Sequence, residues 1–198
     1  MNHSGIVLVV QRVNTPAALR TLYFIRAGFS AVWVTLAFLL ASTVTTATSP
    51  TAVAVVLLVI YPVWDAVATF LDARATPSAP SHLAQYLGIV AGLAAAVGLL
   101  IAVGGGLMPM LIVFGAWASV SGAVQLTLAL GRRKPVGGQW PMIISGGLSV
   151  LAGISFIVTA SAPRTSLTTI AGYSAFGAFW YLLCAILLIR AVRRTRIA

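Results

Sequence analysis

Acidic side chains are nearly missing: the 198 residues include two of them against twelve lysines and arginines, and charged residues of both signs make up 7%. So little charge cannot cover the surface of a soluble domain. The single cysteine, Cys184, excludes a disulfide within the chain and any CxxC metal or redox motif. Two histidines, His3 and His82, are too few and too near the edges of the apolar runs for a buried haem or zinc site. No G-x-S-x-G, H-E-x-x-H or Walker sequence occurs, and no nucleophile, base and orienter can be assembled from the inventory. The expectation is a protein that is not an enzyme, with no catalytic residue, no metal and no cofactor. Gly104-Gly105-Gly106 is a lone glycine run that reads as a flexible hinge and not as a phosphate loop. The apolar run Ile6 to Val10 is too short for a signal-peptide core, so membrane insertion is expected to begin with the first spanning helix.

What is present in quantity is hydrophobic: 60% of the residues, with a mean hydropathy of +1.05. That places the chain among polytopic membrane proteins. A bilayer core of ~30 Å needs about 20 mostly apolar residues in a helix. Stretches near 18–42, 51–72, 82–104, 107–130, 139–161 and 166–191 meet this, so the expected fold is all-α, a single membrane domain of six transmembrane helices. Residues 1–17 precede the spans and 192–198 form a basic tail. Helix starts are marked by Thr15-Pro16, Ser49-Pro50, Pro80-Ser81, Pro109, Pro141, and Pro163 before Thr165 and Ser166, because a first turn has no use for the donor that proline lacks. Every connection is short, which makes neighbouring helices antiparallel.

The net charge of +10 would suggest nucleic acid if it formed a surface patch, but the basic residues fall almost entirely between or beyond the apolar runs. They read instead as topology signals, with no nucleic-acid partner. Arg12, Arg20, Arg26, Arg74, Arg132, Arg133, Lys134, Arg190, Arg193, Arg194 and Arg196 fall on one side, and Arg164 alone on the other. By the positive-inside rule both termini are cytoplasmic, in a bacterial inner membrane, with the Thr43 to Pro50 and Gly104 to Gly106 turns outside. The expected partners are the lipid bilayer and, at the cytoplasmic face, its anionic headgroups.

The odd-numbered helices look alike. Ala27-Gly28-Phe29-Ser30, Ala91-Gly92-Leu93-Ala94 and Gly146-Gly147-Leu148-Ser149 share one pattern, with Val34, Gly98 and Gly153 six residues after each key glycine. Three repeated antiparallel hairpins account for six spans. Small residues recur at every fourth position: Gly88, Gly92 and Ala96; Gly115, Ser119, Ala123 and Thr127; Ser145, Ser149 and Gly153. Such stripes let helices approach closely in lipid, within the bundle first and in a homo-oligomer second.

Chemistry concentrates at Ile60-Tyr61-Pro62-Val63-Trp64-Asp65, where Asp65 is the one acid that the bilayer must accommodate. A charge at membrane depth costs at least ~2.5 kcal/mol unless paired or wetted. Arg26, at similar depth on the preceding helix, is its expected partner. The pair reads structurally as a lock on the first two helices, and functionally as a protonatable carboxylate. Pro62 removes a mid-helix hydrogen bond and is expected to kink the second span one turn before Asp65. Trp140 suits a bilayer interface, whereas Trp33, Trp64, Trp117 and Trp180 fall inside their spans. Trp64, Trp117, Trp180, Tyr181 and Gln125 are the candidate lining of a cavity, although interior aromatics more often serve packing, with the indole donor on a carbonyl.

Tyr61-Pro62 with Asp65, Phe114-Gly115-Ala116-Trp117, Ser121-Gly122 with Gln125-Leu126, and Gln139-Trp140 with Ser145-Gly146 resemble the HdeD-like family of small bacterial integral membrane proteins, over most of the chain from Leu22 to Leu188. The resemblance implies a six-helix architecture of repeated hairpins. It also implies a non-enzymatic inner-membrane protein contributing to acid or envelope stress tolerance. The alternative is a small-molecule or proton-coupled transporter or channel using Asp65 in a water-accessible cavity, for which Pro62 and the glycine-rich third and fifth helices are the hints.

Overall fold

A computed structural model describes residues 15–44, 50–76, 82–134, 136–161 and 167–195. Six helices make up almost all of it: α1 (Thr15–Val44), α2 (Ala52–Ala75), α3 (His82–Ala102), α4 (Leu107–Arg132), α5 (Trp140–Thr159) and α6 (Leu167–Thr195). All six are long and apolar enough to cross a membrane, and no strand occurs among the described residues. The protein is an all-α, six-helix integral membrane protein. The expected helix starts at Pro80-Ser81 and Pro163 to Ser166, like both chain ends, lie outside the described residues.

Local chemistry places the helix ends. Thr51, one residue beyond the expected Ser49-Pro50 signal, caps α2 by accepting from the Ala54 N–H at 3.4 Å. Pro141 occupies the first turn of α5, where its missing donor costs nothing. The glycine run is not a loose hinge: Val103–Gly105 forms a 3-10 turn, and Gly106 closes it with φ +82° while donating its N–H to Val103 O at 3.1 Å. Only glycine adopts that angle without strain, so the residue is needed to start α4 close to the end of α3. The helix α2 continues unbroken through Pro62.

The helices form a closed ring in which each neighbours the next in sequence and α6 returns to α1. Packing is most extensive between α4 and α5, α1 and α6, and α2 and α3. The tightest pairs therefore straddle the three hairpins expected from sequence. Nor do the three pattern glycines share one role: a Cβ on Gly92 would meet Pro62 O at 2.7 Å and Ala66 Cβ at 2.9 Å, whereas nothing lies within 4 Å of one on Gly28 or Gly147.

The close approach of α4 and α5 follows a heptad and not the four-residue stripe. Gly115 faces Gly153, and Gly122 faces Gly146, seven residues apart on each antiparallel helix. A Cβ on Gly115 would meet Gly153 O at 2.6 Å, and one on Gly122 would meet Gly146 O at 2.8 Å. The stripe expectation holds at Gly115 and Ser119 but fails beyond them, because four-residue steps drift around a helix of 3.6 residues per turn. Ala123 and Thr127 are exposed, and Gly122 takes the inner position.

Two apolar clusters lie toward the two ends of the ring, and the second borders the first of the chambers described below. One gathers Trp33, Leu57, Leu58, Leu99, Met110, Phe114, Phe156 and Ile170 at the end reached by the α3–α4 turn. The other gathers Leu19, Tyr23, Ala129, Met142, Cys184 and Leu188 at the opposite end, where the Cys184 thiol donates to Gly138 O at 3.4 Å. Polar side chains fill the space between.

Candidate functional site

Asp65 lies on the inner face of α2, and α1 brings Arg26 to it. Arg26 Nη1 donates to Asp65 Oδ1 at 3.1 Å, with both side chains 12% exposed. Ser121 on α4 donates to the other carboxylate oxygen at 2.6 Å, so both oxygens have partners. The guanidinium also donates to Tyr181 OH at 2.7 Å and to Thr69 Oγ1 at 3.0 Å. It stands 5.3 Å from the centre of the Tyr181 ring. Tyr181 OH passes the chain on to Gln125 Oε1 at 2.9 Å, and Gln125 Nε2 donates to Met142 O at 3.3 Å. One network thus ties α1, α2, α4, α5 and α6. Pairing and hydrogen bonding offset the cost of taking two charges out of water.

Asp65 is not the one acid buried here. Asp72, seven residues on and so two turns along the same face of α2, is 5% exposed. Arg132 at the end of α4 donates to its Oδ2 at 2.8 Å. Gln85 of α3 donates to the same oxygen at 3.4 Å and to Thr76 Oγ1 at 3.1 Å, and Thr76 donates to Asp72 O at 2.7 Å. The second cluster locks α2, α3 and α4 together. Reading Asp72 as the last residue of its span concealed it, because α2 runs on to Ala75. The seven-residue spacing of the two aspartates, with Arg132 ending a neighbouring helix, was the available signal. Arg132 is therefore half of an ion pair as well as a mark of topology.

Two small chambers meet at Asp65. The first runs from Asp72 and Arg132 past Thr69 and Gly88 to Asp65, Ser121 and Gln125. The second continues from Arg26 and Asp65 to Ser30, Tyr61, Trp64, Trp117, Ser149 and Tyr173. Each has a volume of about 40 Å³, which is room for about two or three water molecules. Three buried groups on their walls, Arg26 Nε, Asp72 Oδ1 and the Trp117 indole N–H, have no partner within the protein. Buried polar groups of this kind are commonly satisfied by internal water.

Of the aromatic and amide side chains expected to line a cavity, Trp64, Trp117, Gln125 and Tyr181 border these chambers. Trp180 does not. It sits in a separate groove between α5 and α6, among Trp140, Phe176 and Phe179. Helix α6 turns it away from Tyr181, since adjacent residues on a helix point about 100° apart. Trp33 serves packing, donating to Leu57 O at 2.8 Å, and Trp64 stacks on Phe29 with ring centres 4.6 Å apart. Comparison of the chain with protein-family models, with curated proteins and with solved structures finds no match.

Proposed function

We propose that the protein is a non-enzymatic, multi-pass protein of the bacterial inner membrane, of the HdeD-like type, contributing to acid or envelope stress tolerance. One observation carries the reading: the buried charges are spent on one another across the ring, and the chambers around them have water dimensions. A small organic substrate needs a few hundred Å³ of enclosed space, against about 40 Å³ at Asp65. Such a core keeps a six-helix bundle in register within the bilayer. The resemblance supplies the stress role. A strain deprived of the protein is expected to survive acid or envelope stress less well than its parent, with survival restored by the wild-type chain. Equal survival of the two strains under both stresses removes the stress role.

The second reading, proton-coupled transport, draws on the meeting of two polar chambers at a carboxylate. It needs Asp65 to part from Arg26 during function, so the energetics of that pair separate the readings.

The proposed orientation has both termini cytoplasmic, with anionic headgroups facing the basic tail; it rests on the uneven distribution of Lys and Arg. A cysteine introduced at Lys134 is expected to react with an impermeant thiol reagent only from the cytoplasmic side, and one at Thr46 only from outside. The reverse pattern overturns the orientation. The native Cys184 is fully buried and contributes little background.

A further inference from the structure

The polar path through the ring ends differently in its two directions. Beyond Asp65 the second chamber runs onto aromatic side chains. The rings of Trp33, Tyr61, Trp117, Phe114, Phe156 and Tyr173 meet one another in turn, mostly edge to face, with centres 4.8 to 6.2 Å apart. They come from five helices, α1, α2, α4, α5 and α6. Opening that end means parting interlocked rings deep inside their spans, and an apolar constriction of this kind holds water out.

In the other direction the first chamber reaches Asp72 and Arg132. Their ion pair is held by Gln85 and Thr76, and every member of the cluster stands within a turn of a helix end. Asp72 and Thr76 close α2, Gln85 lies in the first turn of α3, and Arg132 is the last residue of α4. Helix ends open locally at lower cost than helix centres. Water can take over these hydrogen bonds one at a time, and the long Arg132 side chain can follow its charge toward the headgroups.

The distance between the two acids suits water. Asp65 and Asp72 are seven residues apart on α2, a rise of about 10.5 Å. Three waters in file, with hydrogen bonds of ~2.8 Å, span about 11 Å. The chamber between the acids, at about 40 Å³, holds about that number. Thr69 lies midway on its wall.

We infer that the Asp72–Arg132 pair is a gate, and that the chamber behind it is a path by which water, and protons along it, reach Asp65 from the Arg132 face alone. The inference rests on the proton-coupled reading and adds to it the face of access and the residues that control it.

The test is cysteine accessibility of the full-length protein in sealed membrane vesicles of both orientations. The probe is Ag⁺ in chloride-free buffer, which is small enough to follow water and displaces the thiol proton. Cys184→Ser removes the native thiol and keeps a donor for Gly138 O. In that background Thr69→Cys and Ser121→Cys each place a thiol on the chamber wall. Both are expected to react about tenfold faster, or more, from the Arg132 face than from the other. Asp72→Asn and, separately, Gln85→Leu are each expected to speed the reaction of Thr69→Cys from that face about tenfold, the effect of taking one hydrogen bond to a charged group from the closed state. Gln85→Leu decides the matter if Asp72→Asn fails to fold. Leu99→Cys, fully buried in the apolar cluster at the opposite end, is expected to stay unreactive from both faces.

Unchanged rates in both gate variants overturn the gate, and so does reaction of Leu99→Cys in them, which means that the bundle has loosened as a whole. Equal rates from the two faces overturn one-sided access and leave proton-coupled transport standing. No reaction from either face in any variant means a dry core, and overturns the inference and the transport reading together.

Discussion

Asp65→Asn is expected to destabilise the protein by about 3 kcal/mol, the cost of stranding one member of a buried ion pair. The amide keeps the volume and still accepts from Ser121, but it leaves the Arg26 guanidinium with only neutral acceptors, the Tyr181 and Thr69 hydroxyls and the carbonyl oxygen of residue 65. Arg26→Met should cost a similar amount by stranding the carboxylate. The double variant should lose less than the two single changes added together, since neither charge is then left alone, and the difference measured by reversible denaturation in detergent is the coupling. A coupling near zero would mean that the carboxylate and guanidinium do not depend on one another, and the transport reading would gain the residue that it needs. A strong coupling makes the pair a lock and favours the structural role.

Gly153→Leu should be still less tolerable. Its Cβ would run into Gly115 O and into the Ser119 N–H at 2.6 Å, both of them backbone, so no change of rotamer offers relief. Overpacking in a flexible core costs about 1 to 3 kcal/mol; against rigid backbone the α4–α5 contact must open, and the folded yield in detergent should collapse. Gly147→Leu, next to Gly146 of that seam but turned away from it, with nothing within 4 Å of its Cβ, should leave the unfolding temperature nearly unchanged. Equal behaviour of the two variants would show that α4 and α5 do not meet through these glycines.

The six spans were legible because membrane helices are set by length and hydropathy, and their ends by proline, threonine and glycine close in sequence. Arg26 and Asp65 were legible too, since consecutive antiparallel helices bring equal depths together. What the sequence concealed was set at longer range. Arg132 reaches Asp72 across the ring from α4 to α2, and a residue at a helix end looks like a boundary until its partner is known. The close seating of α6 on α1 joins the two ends of the chain, which no local pattern announces. The stripe through Ala123 and Thr127 misled because a four-residue count matches a helix face only over a turn or two.

The unequal filling of the ring bears on how a membrane voltage would be felt. Chambers with charged and hydroxyl groups on their walls reach from Arg132 to Asp65 and on to Tyr61, whereas Phe114, Trp33, Leu58 and Leu99 fill the other end with hydrocarbon and aromatic rings. An electric field concentrates where the medium is least polarisable. A larger share of a transmembrane potential would therefore fall across the Phe114 end, and Asp65 would lie electrically nearer the face that carries Arg132. A charge moved between Arg132 and Asp65 would do less work against the voltage than one carried past Phe114, which would meet the larger part of the roughly 2.3 kcal/mol per 100 mV.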